Sequence, residues 1–150
     1  MFRGVHNVNI DAKGRIAIPA RFRDKLIHHC NGEMVVTIDT DEKSLLIYPQ
    51  PDWDEIERKI DALPSFNPIA RRVQRLLIGH ATDIQMDGSG RILLTPPLRE
   101  YAGLDKKGVL LGQGKKLELW NEATWIERRD SWIEDPSGLE LPDQMLNLSL

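Results

Sequence analysis

NIDAKGRIAIP, residues 9–19, sets a short polar insert between two apolar runs and places an arginine directly behind it. Alone it reads as a hairpin, with residues 8–10 and 15–18 alternating as short strands about a four-residue turn. The stretch decides the fold because it recurs. VNIDAKGRIAIPARFRDKL begins at Val8, and IQMDGSGRILLTPPLREYAGL begins at Ile84. Asp11 aligns with Asp87, Gly14 with Gly90, Arg15 with Arg91 and Arg23 with Arg99, all at an offset of 76. Further on, SLLIYPQPDWDEIERKI aligns with KLELWNEATWIERRDSW, so that Tyr48 meets Trp120 and Trp53 meets Trp125 at an offset of 72. Four residues are missing from the second copy. The connection after the first short helix, IHHCNGE against AGLDKKG, is their expected place. The shared order of elements makes duplication the explanation.

Each copy then predicts the same elements. Pro19 suits the first turn of a short helix, ARFRDKLI. Residues 34–38 and 44–48 form a second hairpin around DTDEK. A helix follows from Asp52, with Trp53, Ile56, Ile60 and Leu63 at helical spacing. Asp52 and Glu55 resemble a capping box with Asp in the Ser/Thr position. In the second copy Thr95 caps and Pro96 opens a short helix that Gly103 ends. Residues 108–112 and 116–120 pair as a hairpin, and Asn121 caps a helix that stops before Pro136.

Between the copies lies NPIARRVQRLLIGH. Asn67 and Pro68 start a helix and Gly79 stops it. Ile69, Val73, Leu76 and Leu77 make its apolar face, with Arg71, Arg72 and Arg75 largely off it. Those arginines are a solvated face or ion-pair with acidic residues of a neighbouring copy or subunit.

A unit with strands of about four residues buries too little apolar surface to stand alone. The two copies are therefore expected to share one core, with strands of one interleaved with the other, and chains are expected to associate further. Tyr48, Trp53, Trp120, Trp125 and Trp132 read as core or subunit-contact aromatics, since they fall at helix starts and strand ends beside apolar residues.

Composition bounds the function. The 150 residues carry a net charge of −3, with no run of 18 apolar residues to span a membrane. The N-terminal MFRGVHNVNIDAKGR has no apolar secretory region, so a cytoplasmic location is the expectation. Cys30 is the single cysteine, which excludes an intrachain disulfide and a cysteine-based zinc site. Charge is uneven. Residues 1–30 sum to +4, whereas residues 130–150 sum to −5 through Asp130, Glu134, Asp135, Glu140 and Asp143. H-E-x-x-H, G-x-S-x-G, phosphate-binding glycine loops and metal-spaced clusters do not occur in the sequence. His28 and His29 are adjacent and diverge on a helix. Asp39, Asp41 and Glu42 read as solvated turn carboxylates. No catalytic residue, metal or cofactor is expected, and no small-molecule substrate.

D-x-K-G-R-I-x-I-P followed by ARFRDKL, its echo D-G-S-G-R, and RRVQRLLIGHATDIQMDGSGR resemble the bacterial MraZ family over residues 1 to about 132. The resemblance implies a mixed α+β, β-rich fold. Two tandem swapped-hairpin units of the AbrB/SpoVT-like class would share an interleaved β-barrel core, with flanking helices. The units would cover residues 5–52 and 81–124. Connecting helices would cover 53–80, and a C-terminal helix and acidic tail 125–150. It implies a transcriptional regulator, commonly a repressor, that binds repeated boxes in double-stranded promoter DNA ahead of its own gene in the division and cell-wall cluster. It further implies a ring homo-oligomer associated with the nucleoid. An oligomeric scaffold or interaction module without specific DNA binding is the competing reading.

Carried onto this sequence, the family's loop falls on Asp11, Lys13, Gly14 and Arg15 and again on Asp87, Gly90 and Arg91. The expected DNA-facing set is Arg15, Lys13, Arg91 and Gly14, with Arg3 added as a weaker candidate. Gly14 and Gly90 close the turns at positive φ, and Asp11 and Asp87 fold onto backbone N–H groups. Arg15 and Arg91 can fork onto guanine O6 and N7, or else ion-pair with the Asp four residues earlier. Lys13 suits a phosphate. Ser89 stands in its place in the second copy, so that loop carries less charge. Arg21, Arg23 and Lys25 are weaker candidates, and Arg23 and Arg99 also fit structural ion pairs.

Overall fold

A computed structural model describes residues 1–135, together with Met145 and Leu148. The acidic stretch that holds Glu140 and Asp143 lies outside the described residues. The first copy runs β1 (Phe2–Asn9), β2 (Arg15–Ala17), α1 (Ala20–Cys30), β3 (Glu33–Ile38), β4 (Leu45–Pro49) and α2 (Gln50–Asp61). The connection is α3 (Pro68–Val73), which continues as a π-helical turn over Gln74–Ile78. The second copy runs β5 (Thr82–Gln85), β6 (Arg91–Leu93), α4 (Pro96–Ala102), β7 (Lys107–Gly114), β8 (Lys116–Asn121) and α5 (Glu122–Glu134).

The strands of the two copies interleave. Six of them form one sheet in the order β1-β7-β8-β4-β3-β5, every neighbour antiparallel. β1 of the first copy pairs with β7 of the second, and β5 of the second pairs with β3 of the first. Exchanging the copies therefore leaves the strand order unchanged. Two pairs lie on this internal two-fold: Leu46 opposite Glu118 in the sheet, and Ile16 opposite Ile92 in a separate two-stranded ribbon of β2 and β6.

The expected closed barrel is not what forms. The outer strands β1 and β5 do not pair with each other, and the sheet is open. The D-x-x-G turn explains why. It lifts the chain out of the sheet after Asn9 into the ribbon, and a single bridge, Ile10 to Ile16, joins first strand to second.

Register also relocates the lost residues. The offset is 76 through the first turn and helix but 74 at β3 and β7, where Glu33 and Lys107 occupy equivalent places opposite Gln85 and Asn9. It reaches 72 at Leu46 and Glu118. Two residues are thus missing after the helix and two from the hairpin loop, rather than all four after the helix.

The main core lies between one face of the sheet, the ribbon, α1 and α4. Ile16, Ile18, Phe22 and Leu26 meet Ile92, Leu94 and Leu98 there, over Met34, Val36, Leu45, Ile47, Leu110, Leu117 and Leu119. Burial of such side chains is worth about 1.5–3 kcal/mol each. Neither copy keeps them dry without the other. On the opposite face α2 brings Trp53 onto Val35 and Tyr48, while α5 brings Trp125 onto Val109, Leu111 and Trp120. The strands are apolar on both sides because both faces are covered.

Local expectations divide. Asn67 caps α3 through its side chain, Asn121 caps α5, and Gly103 ends α4 in the left-handed region. Asp52 does not cap. α2 begins two residues earlier, behind Pro49, and the Asp52 carboxylate instead meets His29 Nε2 at 2.7 Å. Thr95 occupies its cap position without a side-chain bond. Ile69 is 70% exposed, and Ala70 takes the buried place. Two of the turn carboxylates are engaged: Asp39 Oδ1 accepts from Asp41 N at 3.0 Å, and Glu42 receives a two-pronged bond from Arg128, at 2.7 Å from Nη2 and 3.1 Å from Nε. Trp132 stays exposed, edge-on to Trp120 and Trp125.

Candidate nucleic-acid interface

The D-x-x-G-R turns are built alike. Asp11 Oδ1 accepts from the N–H groups of Lys13 and Arg15, both at 2.9 Å. Its Oδ2 accepts from Arg15 Nε at 2.8 Å. Asp87 repeats this with Ser89 N and Arg91 N at 2.9 Å and Arg91 Nε at 3.3 Å. Bonds to the charged form favour it. The Arg15 backbone N–H, with its guanidinium next, lowers the Asp11 carboxyl to about 2. The Arg91 N–H lowers Asp87 in the same way. Gly14 and Gly90 close the turns at φ +88° and +76°.

Each turn also rests on the other copy. Leu94 N donates to Gly14 O at 2.9 Å, and Ile18 N donates to Gly90 O at 2.8 Å. Arg99 Nε, bonded to Leu94 O at 3.2 Å, packs over Gly14, and Arg23 Nη2, bonded to Ile18 O at 3.0 Å, places that guanidinium over Gly90. Arg23 and Arg99 are therefore structural, but they hold carbonyls rather than carboxylates. Sequence reasoning missed this seat. The signal was present, since each arginine follows its own copy's turn glycine by the same interval.

The ribbon between the turns has two faces. Ile16 and Ile92 point into the core. By strand alternation Arg15, Ala17, Arg91 and Leu93 share the outer face, with Arg15 opposite Leu93 and Arg91 opposite Ala17. The turns flank the ribbon at opposite ends, and Lys13 is exposed at the first. Both arginines make the ion pair with the Asp four residues earlier, through Nε. Their terminal nitrogens carry no further hydrogen bond among the described residues, and the pinned Nε fixes the direction of the side chain.

Arg15, Arg91, Lys13 and Gly14 are thus brought together, whereas Arg3 is not. It sits near the start of β1, opposite Gln113, six residues from Asn9. At about 3.3 Å per residue that is ~20 Å from the turn. Arg21 lies beside Gly4, and Lys25 Nζ donates to Met1 O, so neither reaches the ribbon. Arg71, Arg72 and Arg75 are exposed and make no ion pair with the other described residues. No helix among the described residues is long and apolar enough to cross a membrane.

Comparison with known proteins agrees with the duplication. A family described as "MraZ protein, putative antitoxin-like" matches twice, over residues 1–76 and 77–137. A protein named transcriptional regulator MraZ from Halorhodospira halophila is 55% identical over 152 residues, covering the whole of both chains. Proteins of the same name from Coxiella burnetii and Saccharophagus degradans are 53% and 54% identical, again over the full length of both chains.

Proposed function

The chain belongs to the MraZ family, and from that premise we propose that it is a sequence-specific DNA-binding transcriptional regulator. The observation that carries the proposal is the β2–β6 ribbon, which holds Arg15 and Arg91 on an uncovered face between two turns fixed by Asp11 and Asp87. A two-stranded ribbon fits the major groove, and an arginine fork there is worth about 1–3 kcal/mol of discrimination for guanine. Lys13 positions the ribbon on phosphate without specifying sequence. Arg15 and Lys13 lead, Arg91 supports them, Gly14 supplies the turn, and Arg3 serves a different stretch of backbone.

In this reading the exchanged pairing is the swapped-hairpin arrangement, with units over 5–52 and 81–124, connecting helices over 53–80, and a helix and acidic tail over 125–150. The targets are tandem boxes ahead of the chain's own gene in a division and cell-wall cluster, and the effect is repression. One ribbon binds weakly. A ring of chains engaging equally spaced boxes gains avidity through effective concentration, and a net negative chain binds DNA if its acidic residues lie away from the ribbon. The protein works in the cytoplasm, on the nucleoid.

The test is binding to duplex DNA from upstream of the gene across a salt series, for wild type and Arg15→Ala. A steep log–log salt slope and a large loss in the variant are expected. Salt-independent binding, or an Arg15→Ala protein that binds as wild type does, overturns the proposal. An intact assembly with no preference for that DNA points to the scaffold role instead.

A further inference from the structure

We infer that Leu93 is a specificity-determining residue that reads the C5-methyl group of a thymine beside the guanine taken by Arg15, an inference that rests on the DNA-binding reading above. Leu93 is 53% exposed, on a strand whose neighbouring residues Ile92 and Leu94 are fully enclosed. It lies on the outer face of the ribbon, directly across from Arg15. Side chains opposite one another in an antiparallel pair have Cβ atoms about 4.5–5.5 Å apart. That separation is comparable with the ~3.4 Å step along a DNA strand, so a base next to the one Arg15 reads comes within reach of Leu93. In the major groove the one apolar group on any base edge is the thymine methyl. Leucine has no hydrogen-bonding atoms in its side chain, so this group is the feature of a base edge it can recognise.

The asymmetry of the ribbon sharpens the inference. The position equivalent to Leu93 in the first copy is Ala17, across from Arg91. One end of the ribbon therefore gathers Lys13, Arg15 and Leu93. The other gathers Ser89, Arg91 and Ala17, where the short methyl reaches less far. A backbone with two-fold symmetry thus carries side chains without it. The half-box under Arg15 contains a thymine that contributes to affinity, and the half-box under Arg91 lacks a comparable requirement.

The experiment uses full-length protein and the upstream duplex, with each thymine replaced in turn by deoxyuridine, which lacks the methyl and keeps the pairing edge. For wild type, one replacement beside the guanine that Arg15 requires should lower affinity about fourfold, the loss expected for one buried carbon group of about 0.8 kcal/mol. Leu93→Ala should bind the unmodified duplex more weakly by a similar factor, lose its sensitivity to that replacement, and keep the wild-type salt slope. Three results overturn the inference: Leu93→Ala binding as wild type does, an equal loss on thymine and uracil duplexes at every position, or a loss traced by sedimentation to a changed oligomer. If wild type shows no preference for the upstream duplex at all, the DNA-binding reading fails, and this inference with it. Selective wild-type binding with an insensitive Leu93 sinks the inference alone.

Discussion

Arg99 lies across Gly14: a Cβ atom added to that glycine would stand 2.6 Å from the arginine Nε and 2.9 Å from the Leu94 carbonyl oxygen. Arg23 lies across Gly90 in the same manner, its Nε 2.2 Å from the corresponding point. Both glycines also hold positive φ, which costs a residue with a Cβ roughly 1–2 kcal/mol. Gly14→Ala and Gly90→Ala should each lose about 2 kcal/mol or more in chemical denaturation, since overpacking adds to the backbone term. The two should differ in rescue. All three atoms closest to Gly90 belong to Arg23, so Gly90→Ala with Arg23→Ala should cost less than the sum of the single changes. Gly14→Ala with Arg99→Ala should recover less, because the backbone carbonyl of Leu94 stays in place. Strict additivity in the Gly90 pair counts against the collision.

The same turn carries a pH dependence. The Arg15 backbone N–H and guanidinium hold Asp11 at about 2, below the ordinary value near 3.9. A depressed carboxyl contributes stability above its unfolded value and loses it as the pH falls through the folded one. The first turn should therefore stay closed at pH 4 and loosen toward pH 2. Carbon-detected NMR of the carboxyl groups should show Asp11 titrating near the bottom of that window, with the Arg15 Nε–H resonance moving alongside. An Asp11 midpoint close to 4 would mean that the bonds to Lys13 and Arg15 do not persist in solution.

Glu118 sits on the internal two-fold, opposite Leu46, and is only 8% exposed. Burial raises its carboxyl, and the 3.0 Å bond from Trp120 Nε1 offsets only part of that. A raised acid stabilises the fold most when protonated, below the unfolded value of about 4.3, and loses that contribution as the pH rises through its folded value. Glu118→Gln keeps an acceptor for Trp120 and removes the buried charge. The variant should melt at a higher temperature than wild type at pH 7, and the gap should close below pH 4. An equal or lower midpoint at pH 7 would show that the ionised carboxylate is well solvated.

The β3–β4 loop of the first copy is clasped by the second. Tyr101 Oη donates to Asp39 O at 2.6 Å, Lys43 Nζ lies 4.5 Å from the Tyr101 ring centre, and Arg128 holds Glu42. Tyr101→Phe should cost about 1 kcal/mol, the net worth of one such bond. The loss should shrink in a background carrying Glu42→Gln if the two contacts close the loop together, which a double-mutant cycle in urea measures.

The sequence made the duplication legible because identical chemistry recurred at fixed spacing. The turn roles of Asp11 and Gly14 followed from the conformations such residues permit, and both are seen. The interleaving was legible too, from the small size of each copy. Closure of the sheet was not. It depends on whether β1 and β5 meet, and the D-x-x-G turn, though plain in the sequence, does not itself say that the chain leaves the sheet there for the ribbon. The place of Arg23 and Arg99 was half legible: the carbonyl each holds lies five residues back in its own copy, but the turn glycine each covers belongs to the other copy, which local pattern does not show. Asp52 shows the limit of motif reading. Its cap signature is real, but Pro49 fixed an earlier helix start, and His29, which is distant in sequence, took the carboxylate.

The two ends of the ribbon differ in charge, and that difference can be measured. Lys13 stands at one turn and Ser89 at the other, on backbones held by the same Asp-to-N–H bonds. A phosphate contact releases counterions, so losing one should lower the salt slope by about 1 for each subunit engaged and weaken binding across all sequences alike. Lys13→Ala should do this, and Ser89→Ala should not. Ser89→Lys, which places the same cation on the equivalent turn, should steepen the slope by a similar amount if the second turn also faces DNA. If Ser89→Lys leaves the slope unchanged while Lys13→Ala lowers it, only the first turn touches the duplex, and the ribbon lies tilted in the groove. Equal losses in Lys13→Ala and Ser89→Ala would remove the asymmetry altogether, because a serine hydroxyl would then be contributing as much as a full positive charge.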